Sequence, residues 1–129
     1  MMSAVVIDGK SAANSIRADV KTKIIDRIKM RRSIPGLATV LVGEDPASQS
    51  YVRAKHRACE DVGVRSYAVN LQADISQKEL NRRISELAQE SAIHGILVQL
   101  PLPEGLNEEE VLSGVPLEKD VDGFHPVNI

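Results

Sequence analysis

Leu37-Ala38-Thr39-Val40-Leu41-Val42-Gly43-Glu44-Asp45-Pro46 is the stretch on which the fold turns. Its first six residues are apolar except for Thr39, the pattern of a strand covered on both faces rather than one. Gly43 opens a turn, Asp45 is a good helix N-cap, and proline is favoured at the first helical position. The helix this starts is read as running to Val62, with Gly63 as its left-handed terminator. A strand, a tight turn and a long helix make half of a crossover. Such a crossover brings the next strand back parallel to the first.

Working outward repeats the theme. Upstream, Val5-Val6-Ile7 reads as a short strand, and Ser11 to about Arg32 as an amphipathic helix with apolar residues at Ile16, Val20, Ile24 and Ile28, widened by Ala13 and Ile25. Ser33-Ile34-Pro35-Gly36 ends it. Downstream, Val64–Leu71 alternates loosely, as a strand near an edge would. Ser76 to about Glu90 is helical, with Ser76 and Glu79 spaced as a capping box. Ile93–Leu100 is a further strand stopped by Pro101 and Pro103, Asn107–Ser113 a short helix, and the chain from Val115 onward extended loop. The expected architecture is α/β: a three-layer sandwich with a mostly parallel four-stranded sheet flanked by helices, forming one domain over residues 1–129.

Composition narrows the function. The 129 residues are 43% hydrophobic and 26% charged, which is globular rather than disordered. Sixteen Lys+Arg against eighteen Asp+Glu leave a net charge of −2, with no basic field for nucleic acid. No apolar run approaches the ~18 residues of a membrane span. The start, MMSAVVIDGK, lacks the basic and apolar regions of a secretory signal. The single cysteine, Cys59, cannot close an internal disulfide, and no Cys/His spacing suits a metal. A cytoplasmic, metal-free chain is expected. The glycines are never separated by a single residue, so neither a G-x-G-x-x-G fingerprint nor a phosphate-binding P-loop is present.

In parallel sheets, ligands bind beyond the carboxyl ends of the strands. Ser48, Tyr51 and Lys55 fall there, within about 60° of one another on one helical face. A lysine so placed can serve as a general acid/base, but the spacing equally describes a solvated lysine and a tyrosine filling a gap. Gln99 interrupts an apolar strand at the same end. It either faces a cation, which a neutral amide holds less firmly than a carboxylate would, or caps its own backbone or reaches solvent. Asp120 and Asp122 stand two apart in Lys119-Asp120-Val121-Asp122-Gly123. They read as ligand contacts or as a turn closed by its own hydrogen bonds. His56, His94 and His125 show no partner pattern.

Three stretches, VGEDPASQSYVRAKHRACEDVGV, HGILVQLPLP and PLEKDVDGFHPVN, in this order and spacing closely resemble the N-terminal catalytic domain of the bifunctional methylenetetrahydrofolate dehydrogenase/methenyltetrahydrofolate cyclohydrolase family. The resemblance covers Ile7 to Asn128. It implies that Lys55 is the catalytic lysine, Tyr51 the tyrosine that stacks on the folate and helps order that lysine, and Ser48 a serine of the same active-site wall. Gln99 would hydrogen-bond the lysine and Asp122 bind the pterin edge, with Asp120 the lesser of the two aspartates.

The resemblance also implies an enzyme of one-carbon metabolism that serves purine biosynthesis. It would oxidise 5,10-methylenetetrahydrofolate to the 5,10-methenyl form with NADP (NAD in some members) and hydrolyse that to 10-formyltetrahydrofolate, as a cytoplasmic homodimer. The nicotinamide would be bound by a Rossmann domain beyond these residues, so the 129 residues alone are expected neither to bind it nor to turn over substrate. The other readings are a non-catalytic folate-binding or assembly module and a phosphorelay receiver. The receiver fails because Gln72, not aspartate, follows the third strand.

Overall fold

The computed structural model describes residues 9–30 and 32–123. Helix α1 spans Gly9–Lys29, strand β1 Gly36–Val42, helix α2 Pro46–Val62, strand β2 Arg65–Leu71, helix α3 Gln77–Gln89, strand β3 Gly95–Val98 and helix α4 Glu108–Ser113. A single 3-10 turn, Leu117–Lys119, follows. The sheet is parallel throughout, in the order β2-β1-β3, with Gly36 opposite Arg65 and Leu37 opposite Gly95.

The decisive stretch forms as its residues dictate. β1 is central and nearly all buried, its alternate side chains serving two layers. Ala38, Val40 and Val42 join Ile96 and Val98 against Leu80, Ile84 and Leu87 of α3 and Val111 of α4. On α2, Val52, Cys59 and Val62 are buried, as are Leu41 and Leu97 of the sheet. The Asp45 carboxylate accepts the Ser48 N–H at 2.9 Å, and Gly63 ends the helix at φ 86°. Ser76 caps α3 by accepting the Glu79 N–H at 3.1 Å. The Glu79 carboxylate is held by Arg82, whose hydrogen bond keeps it below the usual carboxylate range.

Three expectations need correction. The sheet has three strands, not four, among the described residues; the expected first strand, Val5-Val6-Ile7, lies outside them. Both edges of β1 are taken by β2 and β3. Among the described residues, the far edge of β3 meets the chain only at one isolated parallel bridge, Ile96 to Asp120, which is too short to be a strand. The apolar stripe of α1 is not a buried face. Ile24 alone is buried, while Ile16, Ile25 and Ile28 are exposed at 63%, 43% and 53%. Finally, the segment after Val115 is not plain loop, because Lys119 donates to the Ala88 and Glu90 carbonyls at 2.8 and 3.1 Å and ties the 3-10 turn to the end of α3.

At the base of the sheet, Gly36 donates to the His94 Nδ1 at 3.0 Å and accepts from the His94 N–H at 2.8 Å. A Cβ on Gly36 would stand 2.2 Å from the Ala92 carbonyl oxygen, so only glycine fits. No described helix is long and apolar enough to cross a membrane.

Candidate active site

The carboxyl ends of β1 and β3 lie side by side, and the groups singled out from the sequence gather there in part. Gln99 extends the ladder, its N–H donating to the Val40 carbonyl at 2.9 Å. Its side chain is 9% exposed and makes two bonds. The Oε1 accepts from Lys55 Nζ at 2.8 Å, and the Nε2 donates to the Leu100 carbonyl at 3.1 Å. Both readings of Gln99 are therefore realised at once: it faces the cation and caps its own backbone.

Lys55 is half-buried, two turns into α2, and makes no ion pair among the described residues. Its partner is a neutral amide. Tyr51, one turn earlier, is 59% exposed. Ser48 is buried in the first turn of the same helix. Asp120 is half-buried at the outer edge of β3, and Asp122 is exposed beyond it, with no bond to Lys55 or Gln99 among the described residues.

The remaining candidates are structural. His56 pairs with Glu60 at 2.9 Å on the opposite flank of α2. His94 serves the sheet, and His125 lies outside the described residues. Burial pushes the Cys59 thiol up, so it stays protonated and inert. No group of three metal-binding side chains occurs among the described residues. A cleft of about 930 Å³ opens on the His56 flank, between α2 and β2, lined by Leu41, Val52, Arg53 and Asn70 among others. Neither Lys55 nor Gln99 borders it. The lysine–glutamine pair lies apart from that cleft.

Two contacts escaped the sequence reading. Glu108 accepts the Leu102 N–H at 2.9 Å, and Lys119 closes the end of α3. Neither has a local signature, since each depends on where distant backbone falls.

Among the described residues, the turn between β1 and α2 does not fit a dinucleotide. In nucleotide-binding α/β folds the pyrophosphate rests on a glycine-rich turn at a helix N-terminus. Here that turn is Gly43-Glu44-Asp45, and the Asp45 carboxylate already accepts the Ser48 N–H in the first turn of α2. Two acidic side chains would repel a phosphate. Titration calorimetry of NADP into the protein is therefore expected to give no binding at micromolar concentrations. A micromolar isotherm would show that the β1–α2 turn has been misread.

The described residues thus form a parallel α/β unit with an amide-held lysine at its strand ends. Residues 7–122 match the tetrahydrofolate dehydrogenase/cyclohydrolase catalytic domain, and the chain belongs to that family. It is 54% identical over 128 residues to the bifunctional protein FolD of Moorella thermoacetica and 51% identical over 125 residues to that of Magnetococcus marinus. These matches cover 99% and 96% of the chain but only 45% and 44% of those proteins, so the chain spans less than half their length. The crystal structure of the bifunctional FolD dehydrogenase/cyclohydrolase of Campylobacter jejuni superimposes with a TM-score of 0.90 at 42% identity, over 94% of this chain and 43% of that one. The Trypanosoma brucei enzyme, solved with NADP and an inhibitor, superimposes at 0.88 with 38% identity, over 98% and 43%.

Proposed function

We propose that the chain is the folate-binding catalytic domain, over residues 1–129, of a bifunctional methylenetetrahydrofolate dehydrogenase/methenyltetrahydrofolate cyclohydrolase. The observation that carries this is the Lys55 Nζ to Gln99 Oε1 bond at 2.8 Å, beside exposed Tyr51. On this reading Tyr51 stacks on the pterin-side rings and Ser48 lines the same wall. Asp122 accepts the adjacent N–H donors of the pterin edge, and Asp120 supports it. When bound, NADP would supply the hydride acceptor for oxidation of the methylene bridge. This chain's part in that step is to hold and orient the folate. In hydrolysis, water adds to the cationic methenyl carbon and gives one proton to the Lys55 amine, which passes it to N5; the C–N5 bond then breaks as the remaining hydroxyl releases its proton to solvent and becomes the formyl C=O. Such an enzyme feeds purine biosynthesis from the cytoplasm, as a homodimer.

The aspartates test the reading. A carboxylate that accepts two parallel N–H bonds is a charge-assisted pair. Asp122→Ala is expected to weaken binding of a tetrahydrofolate analogue by about 2–4 kcal/mol, and Asp120→Ala by less. Equal or reversed losses in calorimetric titrations would overturn the assignment of Asp122.

A further inference from the structure

We infer that Glu108 of α4 is a positioning residue for Lys55, acting through the backbone of the Leu100–Pro103 loop. Gln99 can turn its amide either way. With the oxygen toward Lys55 it accepts from the amine; turned over, it would present its NH₂ to another donor. What fixes the oxygen-inward orientation is the Leu100 carbonyl, which accepts Nε2 at 3.1 Å. The direction of that carbonyl depends on the next three residues. Pro101 and Pro103 have no N–H, so Leu102 is the sole backbone donor among them. Leu102 gives its N–H to the Glu108 carboxylate at 2.9 Å, and its side chain is buried in the core.

The path therefore runs from Glu108 through Leu102, Leu100 and Gln99 to the Lys55 amine. A carboxylate accepting a peptide N–H is a strong tether. Glu109 and Glu110 stand on the same short helix without this contact. Glu110 instead lies within reach of Asn81 on α3. The inference deepens the function proposed above and rests on it only in making the placement of Lys55 matter.

The test is labelling of Lys55 by an amine-selective reagent across pH, read by mass spectrometry on the folded protein, with exposed Lys78 of α3 as internal reference. Glu108→Ala is expected to change the Lys55 rate relative to Lys78 by about threefold to tenfold, what one hydrogen bond is worth, and to move the midpoint of its pH profile. Glu108→Asp, which keeps the charge but not the reach, is expected to act alike and serves if the alanine variant fails to fold. Glu108→Gln, which keeps an acceptor oxygen, restores the parent profile, and Glu109→Ala leaves it untouched. An unchanged Lys55 profile in folded Glu108→Ala or Glu108→Asp protein overturns the inference. Because labelling involves no folate chemistry, that failure would leave the proposed function standing. The function is judged separately, by the substitutions of Lys55 itself.

Discussion

Lys55→Arg, assayed in a polypeptide completed to the length of the family's bifunctional members, loses the cyclohydrolase step by about 10²–10⁴-fold, the usual contribution of a positioned acid/base. The substitution keeps a positive charge at the same place, but a guanidinium does not give up its proton near neutral pH. Lys55→Met removes charge and proton carrier together and is expected to fail at hydrolysis just as badly. The dehydrogenase step needs orientation more than proton transfer and should survive in part in both variants. Gln99 makes the arginine result informative, because the partner at 2.8 Å is a neutral amide and no carboxylate among the described residues holds the lysine as a fixed ion. If Lys55→Arg kept most of its cyclohydrolase activity, the lysine would be acting only as a charge, and the acid/base role would be wrong.

The largest loss of stability is expected at Leu80. It is fully buried, on the face of α3 that packs against Val40 and Val98 of the sheet and Val111 of α4. Leu80→Ala removes that packing and leaves a cavity between layers that cannot close, at a cost of about 2–5 kcal/mol. Against a total of ~5–15 kcal/mol for a domain of this kind, that is a large share. Denaturant titration should show it as a fall in the midpoint at unchanged slope. Ile16→Ala on α1, where the side chain is 63% exposed, should cost under ~0.5 kcal/mol. Similar losses at the two positions would mean that the core does not lie where α3 meets the sheet.

The contrast between Leu80 and Ile16 shows what was legible in the sequence and what was not. Features set by a few neighbouring residues were readable: the Asp45 and Ser76 caps, the Gly63 terminator, and the buried run of β1. Whether an apolar stripe is covered depends on an element elsewhere in the chain, which periodicity does not contain. Hence α1 reads like α3 yet buries one isoleucine instead of a face.

At the site, one helical face presented Ser48, Tyr51 and Lys55, and strand order placed Gln99 at the same end of the sheet. The 2.8 Å contact between Lys55 and Gln99 joins residues 44 positions apart and follows only once β1 and β3 are paired. The Leu102 tether to Glu108 and the Lys119 closure of α3 were illegible for the same reason. In each, a side chain meets a backbone group that is positioned by tertiary structure.

The seating of α1 has a kinetic consequence. Its one buried side chain, Ile24, lies against Gly63, where even an added Cβ would come within 2.9 Å of the Ile24 Cγ2. A helix that buries one side chain can detach without opening the sheet, so two levels of unfolding should coexist in the native protein. Amide protons of α1 would exchange through the shallow opening, and those of β1 only through global unfolding. Denaturant would then speed exchange in β1 steeply and in α1 hardly at all. The protein would thus lose its first helix many times for each time it loses its fold.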